Sequence, residues 1–202
     1  MTPELLRRAL WLSSFTVSYN IVEGILSLLA GSMADSIALI GFGLDSFVES
    51  LSGVIVIWRF RLHGKISEEE EERAEQKAER FIGYTFFILA FYVFFESIKK
   101  LYFREITAPS LFGIIIAIIS LITMPTLFFL KYRTGRQIGS RSLIADSKET
   151  LACSLLSLAL LVGLGLNYFL SLWQADPLIG LAIAGYLIKE GRETLAGEEE
   201  EG

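Results

Sequence analysis

The chain has 202 residues, 52% hydrophobic and 20% charged, with a formal net charge of −5 and a mean hydropathy of +0.52. Ordinary soluble domains are about 45–50% apolar and about 25% charged, so the chain is too apolar for that class. Its composition excludes a disordered protein, its acidic balance excludes a nucleic-acid binder, and its one cysteine excludes a disulfide scaffold. An all-α membrane protein remains.

A span needs roughly 20 mostly apolar residues to cross about 30 Å of hydrocarbon. On that measure the sequence predicts six transmembrane helices, at approximately 10–30, 36–60, 81–101, 106–130, 141–171 and 177–195. Ile106–Leu130 and Thr150–Ala175 carry no charge, whereas the other spans contain embedded acids: Glu23, Asp45, Glu49 and Glu96. A tight turn at Gly31–Asp35 separates the first two spans, and Asp176-Pro177 breaks the chain before the sixth. The acidic stretch 67–80 reads as a separate loop helix with Ser67 as its N-cap. Its run of glutamates either collects cations or keeps the loop in water. The expected organisation is one six-helix domain over 1–197, with an acidic tail at 198–202 and no room for a soluble domain. The first apolar stretch is long, contains Glu23 and lacks a processing site, so a cleavable signal peptide is not expected.

Lys and Arg placement orients the spans. With the N-terminus cytoplasmic, the inside carries Arg7 and Arg8, six cations from Arg59 to Arg80, four from Lys131 to Arg141, and Lys189 with Arg192. That makes fourteen, against Lys99, Lys100 and Arg104 outside. Both termini are expected in the cytoplasm, in a multi-pass protein of the cell membrane.

An ionisable side chain at the bilayer centre costs from about 2.5 to over 10 kcal/mol and is tolerated when paired, hydrated or binding something. Asp45 and Glu49 are spaced i, i+4 on one face of the second span, and Glu149 and Cys153 have the same spacing on the fifth. At about 1.5 Å per residue, entry near Ser36 puts Asp45 roughly 13–14 Å deep and Glu49 roughly 19–20 Å. Entry of the fifth span from the other side near Ser140 gives the same depths for Glu149 and Cys153. The two pairs are therefore compatible in depth. Three carboxylates and a thiol suit a divalent metal; the thiol favours softer ions such as zinc or cadmium. These groups shed protons to bind metal, so binding is coupled to protons.

Blander readings stand beside these. Two adjacent carboxylates repel unless a cation or proton intervenes, which makes a packing role weak for Asp45 and Glu49. Glu23 and Glu96 read equally as protonated packing residues, and Cys153 alone as a small buried hydrophobe. Lys148 neutralises Glu23 or Asp146, or snorkels to the inner face. His63, among Arg59, Arg61 and Lys65, reads as an exposed loop residue. Phe81–Phe95 reads as a lipid-facing surface, and Gly41, Gly43, Ser46 and Ser50 as a close helix contact.

The stretch Ser36–Glu49, with its acids four apart, and Ala145–Cys153, with Ala145-Asp146 ahead of Glu149 and Cys153, resemble the second and fifth helices of the cation diffusion facilitator family. Asn20 and Gly24 resemble its first helix, and Trp173 with Asp176-Pro177 the entry to its sixth. The likeness covers about residues 10–196. It implies a homodimeric antiporter that exports Zn²⁺ or a similar ion from the cytoplasm against protons by alternating access. Carried over by position, the metal ligands are Asp45, Glu49, Glu149 and Cys153, with Asn20, Asp146 and Glu23 as secondary candidates. Glu149 stands where the family has His and Cys153 where it has Asp, so metal preference is not inherited: Cd²⁺, Fe²⁺ and Mn²⁺ stand beside Zn²⁺. The family's cytoplasmic metal-binding domain does not follow the sixth span, so the resemblance is to a short form. Partners are then metal ion, protons, lipid and a second copy, with no prosthetic group. The alternative is a membrane metal sensor without flux. An enzyme is not expected, since the chain shows no nucleotide loop and no nucleophile–histidine pair.

Overall fold

The computed structural model describes residues 3–33, 37–104, 111–170 and 174–196. Among the described residues it is all-helical, with six helices: α1 (Pro3–Met33), α2 (Ile37–Leu62), α3 (Glu68–Phe103), α4 (Leu111–Ile138), α5 (Arg141–Leu170) and α6 (Ala175–Ala196). α1, α3 and α4 are each long and apolar enough to cross a membrane. Large apolar side chains such as Trp11, Leu29, Phe91, Ile122 and Phe129 face outward, while serines, threonines and carboxylates share the interior with apolar side chains such as Phe60, Phe86 and Met124. So apolar an exterior around so polar an interior suits a lipid surround.

Helix order and number follow the sequence expectation, but several bounds move. α1 starts at Pro3, where proline's missing N–H costs nothing, and runs through Met33, so Gly31–Met33 are helix rather than turn. The rest of that turn, Ser36, the start of the fourth span before Leu111, the 198–202 tail and Trp173 lie outside the described residues, as does the Asp176 side chain. α4 continues to Ile138 across Pro125. The acidic loop helix and third span are one 36-residue helix. From Glu68 to Phe103 no proline interrupts good helix formers, so nothing ends the first segment before the second begins.

Ser67 caps α3 as expected: its hydroxyl accepts from the Glu70 N–H, and the Glu70 carboxylate reaches back to the Ser67 N–H at 3.0 Å. The neighbouring glutamates are engaged as well. Glu69 pairs with Arg73, Glu71 with His63 and the Gly64 N–H, and Glu72 with Arg141. These contacts favour the solvated-helix reading over cation collection. His63, hydrogen-bonded to Glu71 at 2.8 Å, takes no part in the buried cluster.

The helices pack most extensively as α1 with α2, α3 with α6, and α4 with α5. A Cβ on Gly43 would stand 2.9 Å from the Gly24 carbonyl oxygen, so α1 and α2 approach backbone to backbone where Gly43 was expected to allow close contact. Overpacking such a contact costs about 1–3 kcal/mol. Gly43→Ala should therefore lower the thermal midpoint of the detergent-solubilised protein by roughly 2–4 °C per kcal/mol. An unchanged midpoint would show that the approach is looser than this. α4 and α5 form a hairpin joined by Gly139, whose φ of 68° favours glycine, and Ser140.

Candidate functional site

α2 carries Asp45 and Glu49 one turn apart on its buried face, 3% and 1% exposed. α5 runs alongside with Asp146, Glu149, Thr150 and Cys153 buried, and α1 contributes Asn20 and Glu23. One interior seam thus holds five carboxylates, an amide and a thiol.

Asp45 and Cys153 meet across the α2–α5 boundary within hydrogen-bonding reach, with Glu49 and Glu23 the nearest further charges. Glu23 accepts from the Tyr19 hydroxyl at 2.9 Å and the Ser46 hydroxyl at 3.1 Å. Glu49 Oε1 accepts from the Thr150 hydroxyl at 2.5 Å, and Asn20 lies beside Glu49. Glu149 is engaged elsewhere: its Oε1 accepts from Thr85 on α3 at 2.7 Å, with Ser52 next to it. Asp45, Glu49 and Cys153 therefore share a neighbourhood, while Glu149 is drawn toward α3. Among the described residues no three His, Cys, Asp or Glu side chains converge closely enough to hold one ion.

Several polar atoms in the seam have no partner among the described residues. Asp45 Oδ2, Glu49 Oε2, Glu149 Oε2 and both amide atoms of Asn20 are buried without a hydrogen bond. A buried polar atom left unpaired costs about 1–3 kcal/mol, and more when charged. Such a cluster calls for protons or a cation.

A cavity of about 80 Å³ reaches this seam from one end of the bundle. Asp45 lines it together with Phe42, Glu96, Lys100, Pro177 and Gly180. Glu96, whose carboxylate lies 3.5 Å from Lys99, is thus a cavity residue rather than a packing one.

At the opposite end the helices are tied by charge. Glu75 on α3 is 3% exposed and forms an ion pair with Arg59 of α2. It also accepts from the Ser140 hydroxyl at 2.8 Å, the Ser142 N–H at 2.8 Å and the Ser142 hydroxyl at 2.9 Å. A carboxylate there satisfies orphan donors at the start of α5 and complements its dipole. Arg141 pairs with Glu72 and with Glu79 (3.2 Å), and Lys148 with Glu190 of α6 at 2.7 Å. Of the alternatives the sequence leaves open for Lys148, its pairing with Glu190 matches neither Glu23 nor Asp146.

Lys131 was counted from the sequence among the inner loop cations. It is instead fully buried in α4, with Nζ 2.6 Å from Asp146 Oδ2 and donating to Thr150 Oγ1 at 2.9 Å. Sequence reasoning missed this lysine and its contact with Thr150, although hairpin register offers a signal for both.

An all-helical bundle with an apolar exterior and an acid-lined interior defines a membrane protein of the ion-handling kind. The sequence profile of the cation efflux transmembrane domain matches residues 14–196, and the chain belongs to that family, the one its motifs resemble. It is 26% identical over 188 residues to transmembrane protein 163 of Xenopus laevis, covering 91% of this chain and 66% of that protein. An uncharacterized transporter of Methanocaldococcus jannaschii is 24% identical over 174 residues, 84% of this chain and 61% of its own length. The magnetosome protein MamB of Magnetospira is 23% identical over 158 residues, 76% and 53% respectively. The chain thus spans about half to two thirds of the length of these relatives.

Proposed function

We propose that the chain carries divalent transition-metal ions, Zn²⁺ or a close relative, out of the cytoplasm in exchange for protons by alternating access. Asp45, Glu49 and Cys153 take the ion, and Glu149 joins them when it leaves Thr85. The observation that carries this reading is the pair of unpartnered oxygens on Asp45 and Glu49 beside one buried thiol, with a third on Glu149 across the same seam, which a cavity reaches at Asp45. An arriving ion satisfies those oxygens. Protons returning in its place neutralise the same acids, which makes exchange a property of the ligands themselves. The acid-rich end, where cations concentrate even without Lys131, is the cytoplasmic one on the positive-inside rule. With Asp45 open to the opposite end, this arrangement is the outward-facing one.

The test is reconstitution in vesicles holding a metal dye and a pH dye. Metal entry accompanied by proton counter-flow is expected; saturable binding without flux would replace transport with sensing. Cys153→Ser is expected to lower cadmium and zinc uptake several-fold relative to manganese, because a hydroxyl is a harder ligand than a thiolate. Unchanged ratios across the three ions would remove Cys153 from the ligand set.

A further inference from the structure

We propose that Lys131 is a positioning residue for the cargo site, a tethered ammonium that orients Glu49 through Thr150 and keeps Asp146 out of the ligand set. This rests on the metal site proposed above.

The direction of the hydrogen bonds carries the inference. An ammonium only donates. Where Lys131 Nζ meets Thr150 Oγ1 at 2.9 Å, the hydroxyl oxygen must accept. The single hydroxyl proton is then free to point elsewhere. Two acceptors stand within reach: Glu49 Oε1 at 2.5 Å and the Asp146 carbonyl oxygen at 3.1 Å. The shorter contact, to a carboxylate, is the stronger one. Lys131 thereby commits Oε1 of Glu49 to Thr150 and leaves Oε2, the atom without a partner, for an incoming ion. The same ammonium lies 2.6 Å from Asp146 Oδ2, with both side chains fully buried. Asp146 is thus neutralised by a resident cation. Of the secondary ligand candidates it is the one held by a positive charge.

A lysine at 0% exposure inside such a bundle is costly unless its pairing is complete. Thr150 supplies the ammonium with a second acceptor beside Asp146, and through its own hydroxyl proton this contact leads across to α2 and Glu49.

Two variants separate positioning from packing. Thr150→Val cuts the relay and leaves the ion pair intact. Lys131→Met with Asp146→Asn removes both charges together, so no unpaired ion is left buried. Each is expected to raise the apparent KM for Zn²⁺ roughly tenfold, the scale of one buried charge-assisted hydrogen bond, while the maximal rate stays within about twofold of wild type. The triple variant is expected to show no further rise, because both changes break one chain. A wild-type KM in Thr150→Val, or KM effects that multiply in the triple variant, would overturn the positioning role. Asp45→Asn run in the same assay isolates the site itself: if it transports normally, the metal-site reading fails regardless of how Lys131 behaves.

Discussion

Asp45→Asn removes metal uptake, by more than about a hundredfold, while the protein still folds and resists heat at least as well as before. The loss follows from position: Asp45 is where the cavity meets the thiol of Cys153 and the charges of Glu49 and Glu23. Removing even an outer-shell partner from a metal centre typically costs 10–100-fold, and this change takes one of the proposed ligands. The second half of the expectation is less intuitive. Asp45 Oδ2 is buried without a donor, so replacing the acid by its amide relieves a desolvation cost. Residues kept for function at the expense of stability behave in this way. The measurement is vesicle uptake of Zn²⁺ alongside the thermal midpoint of the purified protein. Retained uptake would remove Asp45 from the pathway; lost uptake with a collapsed midpoint would make it a structural residue.

Glu75→Gln shifts the protein toward a form open at its acid-rich end. Glu75 gathers α2 through Arg59, the α4–α5 turn through Ser140 and the start of α5 through Ser142. Removing one partner of a buried ion pair costs about 3–5 kcal/mol. A change of about 3 kcal/mol alters an equilibrium by roughly 150-fold, enough to invert a modest preference between two arrangements. Cys153 is the chain's only cysteine and a native reporter. Its labelling by a membrane-impermeant thiol reagent applied at the acid-rich end should rise in Glu75→Gln, and labelling from the cavity end should fall. Unchanged labelling from both sides would mean that Glu75 ties helices without controlling access.

Helix number and the buried acids were legible because each has a one-dimensional signature. Apolar runs mark spans, and the i, i+4 spacing of Asp45 with Glu49 marks a shared face. The partners of those acids were harder to read. Glu149 and Cys153 share a face of α5 as spaced, yet Thr85 on α3 draws Glu149 aside, and no local pattern relates residues 64 positions apart. Glu75 looked like one more solvated glutamate because its four donors come from two other helices and a turn. Lys131 misled for a different reason: Lys131-Tyr132-Arg133 at the end of an apolar run resembles a membrane boundary. The clue lay in the short α4–α5 connection. Lys131 precedes Gly139 by eight residues and Asp146 follows it by seven, so an antiparallel hairpin brings them to one height. The continuity of α3 was misread because a change in composition was taken for a change in structure.

That continuity has a mechanical outcome. At 36 residues α3 is about 54 Å long, against about 30 Å of hydrocarbon, so the helix exceeds a hydrocarbon layer by about 24 Å. Unbroken helix joins the acidic N-terminal part of α3 to the stretch from Tyr92 to Lys100 that walls the cavity, and α6 packs along it. A tilt of the acidic part would therefore be felt at the cavity wall as a lever arm is felt at its far end.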